Sequence, residues 1–240
     1  MAQKILIGFF WICTQLLFAQ EQTKSGYFAK TGTSVYLISG IANYNFSSIN
    51  QALRETNLPQ IDPWHFTFGV GGGIRFGRSN LDYTCLLLNN HFQKSLEATV
   101  PSTQMGVQFS YDFIKKQHWK LTLIRGLNWT TMRATLKERQ SIPNTGIGIL
   151  QGRNAVSITN QAFLGDLGLQ SDWLIKKNTH KSHFIRIRSG YRIDLKRQRA
   201  WESVSYSINE PITDNFSHFY LQTSFGMSYN KVGYKKHSAE

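Results

Sequence analysis

The stretch Phe219-Tyr220-Leu221-Gln222-Thr223-Ser224-Phe225-Gly226-Met227-Ser228-Tyr229-Asn230 decides the fold. Phe219, Leu221, Phe225, Met227 and Tyr229 share one parity, broken only by Thr223. Tyr220, Gln222, Ser224, Gly226, Ser228 and Asn230 share the other. A period of two is the strand period, because successive side chains of a strand point to opposite faces. In a soluble sandwich the apolar face turns inward. In a membrane barrel it turns outward to lipid, and the polar face lines the lumen.

The alternation recurs upstream. Phe66, Phe68, Val70, Ile74 and Phe76 oppose Thr67, Gly69, Gly71, Gly73 and Arg75. Met105, Val107, Phe109, Tyr111 and Phe113 oppose Gln104, Gly106, Gln108, Ser110 and Asp112. Ile185, Ile187, Tyr191, Ile193 and Leu195 oppose Arg186, Arg188, Gly190, Arg192, Asp194 and Lys196. Glycines on the polar face relieve crowding inside a narrow barrel, a pattern unusual for a solvated sheet face. The pattern predicts eight strands, at 34–45, 64–77, 81–92, 103–115, 119–134, 156–176, 183–196 and 216–232. The connections alternate. Arg78-Ser79-Asn80, Lys116-Gln117-His118 and 177–182 are short; 46–63, 93–102, 135–155 and 197–215 are long. Short periplasmic turns and long outer loops are the outer-membrane pattern. The expected fold class is therefore all-β, an eight-stranded antiparallel up-and-down transmembrane barrel.

The N-terminus predicts export. Lys4 supplies the positive charge, Ile5 to Phe18 the apolar core, and Leu17-Phe18-Ala19 a small residue before a cut. The organisation expected is a signal peptide over 1–19, a periplasmic segment over 20–33, the barrel over 34–232 and a periplasmic tail over 233–240. Cys85 is the one cysteine beyond the signal, so no intramolecular disulfide is available there.

The chain carries 27 Lys and Arg against 14 Asp and Glu. No helix or recognition motif organises these bases, so nucleic acid is not an expected partner. The topology concentrates them on the short-turn rim and tails. There Lys24, Lys30, Arg78, Lys115, Lys116, Lys176, Lys177, Lys181, Lys231, Lys235 and Lys236 face only Glu21 and Glu240. A basic rim attracts anionic headgroups, the expected outer-membrane lipid partners. It also attracts an acidic periplasmic or outer-membrane protein complex.

Trp119 and Trp173 fall at strand ends beside short turns, and Tyr229 at the matching depth of the last strand. Amphipathic rings settle at the headgroup level, so these three are the expected aromatic girdle. Arg125 conflicts with the pattern. It shares parity with Leu121, Leu123, Leu127 and Trp129, and an Arg at mid-bilayer costs roughly 2–4 kcal/mol. A bulge near Gly126 would turn it inward. In the first long loop, Ile49 to Glu55 reads as one or two helical turns, with Ser48 available as N-cap.

The whole chain beyond the signal resembles the small outer-membrane barrel proteins of the Bacteroidota, themselves comparable with OmpA- and OmpX-type barrels. The residues that carry this are Phe18-Ala19-Gln20, the glycine-rich run Phe68-Gly69-Val70-Gly71-Gly72-Gly73-Ile74-Arg75-Phe76-Gly77, Gly190-Tyr191-Arg192 followed by Trp201, and the closing Phe219 to Gly226. The resemblance implies fold and location, and no single activity.

Three kinds of chemistry are weighed. The lumen collects Arg75, Lys120, Arg186, Arg188, Arg192 and Lys196 as bases and Asp112, Asp166, Asp172 and Asp194 as acids. An eight-stranded bore is just wide enough for its side chains to fill, so these predict a closed charge network over a narrow anion-preferring pore. A hydrolase acting on lipid A or peptides at the outer rim would draw on His65 with Asp62, His218 with Ser217 and Asp214, or His91. No Gly-x-Ser-x-Gly elbow accompanies them. No metal and no cofactor is expected, since His, Cys, Asp and Glu nowhere cluster at ligand spacing. The function expected is a non-enzymatic structural or interaction barrel, with an accessory barrel of a secretion or envelope-assembly complex and the rim hydrolase as alternatives.

Overall fold

The computed structural model describes residues 31–55, 60–89, 98–116, 118–137, 155–177, 181–196, 199–203 and 212–230. Eight long strands run through them: β1 (Thr31–Asn43), β2 (Trp64–Phe76), β3 (Ser79–Asn89), β4 (Ser102–Lys115), β5 (Trp119–Lys137), β6 (Ala155–Lys177), β7 (Lys181–Asp194) and β8 (His218–Asn230). Each pairs antiparallel with its sequence neighbours. β8 returns to pair with β1, from Gly32 opposite Asn230 to Asn43 opposite Phe219. The sheet closes on itself, and closure leaves none of the eight strands with an open edge.

The strand boundaries move modestly from expectation. β1 begins at Thr31 instead of 34, so 31–33 belong to the barrel and not to the preceding segment. The first short turn is Gly77-Arg78, tighter than expected; Gly77 takes φ +62°, which costs glycine nothing. β5 and β6 run 19 and 23 residues, longer than the 11 to 14 of the other six. The 1–19 and 233–240 segments, and His91 and Lys231, lie outside the described residues.

Burial follows parity. Val35, Leu37, Phe68, Val70, Met105, Leu127, Leu167 and Phe225 are exposed on the outer wall, while Gln104, Gln108, Ser110, Asp112, Arg188 and Gln222 are buried inside. An apolar exterior around a polar interior inverts the soluble arrangement. Its height identifies the solvent it meets. Tyr229 is 41 % and Phe219 69 % exposed, at opposite ends of β8. Ten residues of strand span about 34 Å, or about 25 Å along the axis at a tilt of roughly 40°, the height of a lipid-facing band.

Three aromatic residues named from the sequence lie at the short-turn end. Trp119 and Trp173 are cross-strand partners, and the Trp119 indole N–H donates to Ser171 Oγ. Tyr229 sits at the same rim on β8, with Lys181 Nζ 5.5 Å from its ring centre. A second girdle, not anticipated, rings the other end. Trp64 and Phe219 both flank Asn43, Tyr191 lies 4.5 Å from Phe219, and Trp129 is half-exposed.

Arg125 resolves against a bulge. β5 pairs with β6 without interruption from Trp119 to Lys137, and the register shifts lie elsewhere, at Asp112/Ile114 and Leu174/Lys176. Arg125 therefore stays on the outer wall, its guanidinium carbon 4.9 Å from the centre of the Phe109 ring. The π face offsets part of the cost of that position.

Candidate functional site

The lumen holds the chemistry of this barrel. Starting at the short-turn rim, Arg75 of β2 pairs with Asp112 of β4. Lys120 of β5 lies 3.2 Å from Asp112 and 3.0 Å from Asp172 of β6. Arg186 of β7 faces Asp172 in register and grips both its oxygens, Nε at 2.9 Å and Nη2 at 3.2 Å. Its Nη1 is 3.7 Å from Asp82 of β3, and Arg188 Nη2 is 3.9 Å from the same carboxylate. Charges thus alternate in sign from Arg75 to Arg188. A fork-shaped guanidinium suits such a ladder, because it meets two acceptors in fixed directions.

Amides carry the ladder onward. Gln170 Oε1 accepts from Arg188 Nε and Nη2 at 3.2 and 2.7 Å, and Gln108 accepts from Arg188 Nη1. Gln108 then donates to Asp166 at 2.9 Å. Asp166 also receives Asn128 at 3.2 Å, Tyr220 Oη at 2.8 Å and Arg192 Nε at 3.3 Å. Arg192 Nη1 ends on Gln104 at 2.7 Å, and its guanidinium carbon sits 4.1 Å from the centre of the Tyr220 ring. Buried ions need this many partners to offset their lost hydration.

Of the expected network, Arg75, Asp112, Lys120, Asp166, Asp172, Arg186, Arg188 and Arg192 come together. Lys196 does not: it is exposed at the long-loop end, where β7 has already finished. Asp194 is buried but serves the backbone, accepting Phe216 N at 3.3 Å and Lys196 N at 3.1 Å. Sequence reading missed Asp82, Tyr36, Gln104, Gln108, Gln170 and Tyr220 as members. Asp82 had the inward parity all along, masked by Leu86-Leu87-Leu88. Of these three, Leu86 and Leu88 are buried inside and Leu87 is exposed on the wall. Towards the long loops apolar side chains join the polar ones, with Ala42, Leu88, Met132, Ala134, Ala162 and Leu164 buried alongside His65, Asn160 and His218.

Described residues of the first and last long loops then cover the top. Helix α1 (Ser47–Glu55) lays Ile49 and Leu53 inward. Tyr44, Phe46, Ile61, Trp201 and Phe216 are buried with them. Trp201 meets Phe216 edge-on at 5.8 Å, and Phe46 meets it at 6.3 Å. Ser48 does not cap its own helix. Asp214 does, from the last long loop, accepting Ser48 N at 2.8 Å and Ile49 N at 3.3 Å and Trp201 Nε1 at 2.9 Å. A carboxylate at a helix N-terminus satisfies orphan N–H groups and meets the positive end of the dipole. Burial raises the Tyr44 phenol above its ordinary pKa, keeping it neutral under this lid.

The described members of the hydrolase sets are engaged in other contacts. His218 Nδ1 faces the Phe216 carbonyl at 2.8 Å and Nε2 faces Arg192 Nη1 at 3.4 Å. A carbonyl only accepts and a guanidinium only donates, so the ring is a neutral Nδ1–H tautomer with both nitrogens committed. Ser217 Oγ accepts Asp194 N at 2.9 Å, and Asp214 is occupied by the cap. Asp62 accepts Trp64 N at 2.8 Å, while His65 is buried under Tyr44 and Phe46. Among the described residues no group of His, Cys, Asp and Glu is placed to hold a metal.

On the basic rim, Lys116 and Lys181 are exposed and Arg78 and Lys115 half-buried. The side chains of Lys176 and Lys177 lie outside the described set.

A closed eight-stranded antiparallel sheet with an apolar belt, two aromatic girdles and a filled polar bore defines the chain as a transmembrane β-barrel, the architecture of outer-membrane proteins. No protein-family model and no curated protein matches the chain. Three solved structures are similar at a distance. Neisserial surface protein A is 12% identical with a TM-score of 0.48, covering 83% of this chain and 97% of its own. Ail, the attachment invasion locus protein of Yersinia pestis, is 8% identical at 0.40, covering 84% and 97%. The outer membrane protein AlkL is 9% identical at 0.39, covering 89% and 96%. Likeness this remote assigns no activity or partner; the fold rests on the chain's own strand register.

Proposed function

We propose that this chain is a structural or interaction barrel of the Gram-negative outer membrane, with its short turns in the periplasm and its long loops outside. One observation carries this reading. Above a small vestibule at the short-turn end the bore is blocked, by the ion ladder from Arg75 to Arg192 and by the lid of Tyr44, Phe46, Ile49, Trp201 and Phe216. An eight-stranded bore has little room beyond its own side chains, so the barrel transmits neither water nor solute. The test is conductance in planar bilayers. Purified wild-type protein is expected to give no steps of a water-filled pore, and sustained conductance would overturn the reading.

Export through a cleavable signal belongs to the same proposal, supported by Lys4, the apolar run to Phe18 and Ala19. Sequencing of the mature protein is expected to begin at Gln20. The glycine run of β2 supports a place among the Bacteroidota barrels. A second reading is an accessory barrel in a secretion or envelope-assembly complex. It is favoured by Lys116 and Lys181, exposed at one rim and suited to an acidic partner. A photoreactive group at Lys116 is expected to crosslink to a periplasmic or outer-membrane protein under that reading, and to lipid alone under the first.

A further inference from the structure

The ion ladder does not fill the bore completely. At the short-turn end a cavity of about 40 Å³ remains, room for about three water molecules. Arg75, Lys120, Arg186, Asp172, Ser34 and Ser228 are among the residues that line it. Three cationic side chains therefore face this space with one carboxylate. Ser34, Ser228 and Gly32 are half-buried where it opens.

The Arg186 guanidinium makes this more than a basic corner. Its side chain is 5% exposed. Nε and Nη2 are spent on Asp172, but Nη1 has no hydrogen-bond partner and stands 3.7 Å from the nearest carboxylate oxygen, on Asp82. A buried guanidinium N–H without an acceptor is costly. Arg186 itself lines the cavity beside Arg75 and Lys120, and an anion there would complete the alternation of charge at the end where the ladder finishes on Arg75.

We propose that this vestibule binds a tetrahedral oxyanion of the phosphate class. Arg75, Lys120 and Arg186 neutralise it, and the Ser34 and Ser228 hydroxyls donate to its remaining oxygens. The size favours one phosphoryl group over a planar or extended acid. Guanidinium and ammonium groups converging on a small space are the usual means of holding several oxygens of one anion. The ligand is a free phosphate or the phosphate of a lipid headgroup reaching in from the rim.

The full chain, folded in a neutral detergent, is heated with increasing inorganic phosphate, chloride being withdrawn to hold ionic strength constant. The fraction folded is read from the mobility difference between folded and unfolded barrel on a gel. Phosphate is expected to raise the unfolding temperature and to saturate. Arg75→Gln, which leaves Asp112 with Lys120, is expected to raise the half-saturating concentration at least tenfold. Ser34→Leu, which fills the mouth without touching the ladder, is expected to abolish the response while the barrel still folds. A parallel series uses short-chain phosphatidylglycerol as the probe. A response to this lipid and none to inorganic phosphate assigns the site to a headgroup; a response to inorganic phosphate assigns it to the free anion. No response to either, or an undiminished response in Ser34→Leu, overturns the proposal.

Discussion

The carboxylate of Asp214 accepts the backbone N–H of Ser48 at 2.8 Å, tying the last long loop to the first across 166 positions of chain. The same side chain holds the Trp201 indole. One residue thus fastens three parts of the lid, and its loss should open the lid without opening the barrel. Asp214→Ala is expected to cost about 1 kcal/mol of local stability, as for a lost helix cap. Limited proteolysis within 44–63 should accelerate by roughly the corresponding five- to tenfold, since cleavage tracks local opening. Gel mobility of the barrel should stay unchanged. Equal cleavage rates in variant and wild type would show the lid to be held elsewhere.

The faces of β7 can be compared by neighbouring substitutions. Arg188 is buried among Gln108, Gln170 and Asp82, whereas Ile187 is 39% exposed on the wall. Removing one member of a buried charge network leaves the rest uncompensated, at roughly 3–5 kcal/mol. Trimming Ile187 leaves no enclosed cavity. Arg188→Ala is therefore expected to lower the unfolding midpoint in urea more than Ile187→Ala in the same detergent. The reverse order would mean that the apolar face is the interior one.

Arg125 offers a gain of stability. It stands six residues from Trp119 and four from Trp129, the girdle residues of its own strand. That is near mid-belt, where an Arg costs roughly 2–4 kcal/mol. The contact with Phe109 offsets part of it. Arg125→Leu is expected to stabilise the barrel in lipid vesicles by less than that cost, because the contacts of the guanidinium, that with Phe109 among them, are lost with it; reversible denaturant unfolding measures the difference. A loss of stability would show that the guanidinium is better satisfied at this depth than its ring contact accounts for.

Gly71 makes room for Tyr36. A methyl group at Gly71 would meet the Tyr36 ring, with the hydroxyl 2.8 Å away. Tyr36 in turn donates to Asp82 at 3.2 Å and lies 4.5 Å from the Arg186 guanidinium carbon. Gly71→Ala is expected to cost about 1–3 kcal/mol through overpacking. In a Tyr36→Leu background that cost should shrink, because the clashing ring is gone. A double-mutant cycle measures the coupling, and additive penalties would exclude the steric link.

Parity made much of the barrel legible. Arg186, Arg188 and Arg192 read as inward because they alternate with Ile185, Ile187, Tyr191 and Ile193, and they are inward. Trp119, Trp173 and Tyr229 read as one rim from their distance to the turns. The helix in the first loop was visible in Ile49 and Leu53. Lys196 departs from its parity because parity continues past the end of a strand while the wall does not. Asp82 was passed over because three consecutive leucines hide which face of β3 is which.

What the sequence by itself determined is the strand set, the two faces and the belt, because a period of two leaves a side chain only two directions and lipid selects between them. It did not determine which charge meets which. Asp172 faces Arg186 through neighbouring-strand register, but Gln108 reaches Asp166 across 58 residues and Arg192 reaches Gln104 across 88. Such pairings depend on the stagger with which the sheet closes and on the width of the bore, neither of which is written in one strand. The lid was decided in the same way. Asp214 looks like any loop carboxylate until closure brings β1 beside β8 and places it over the N-terminus of α1.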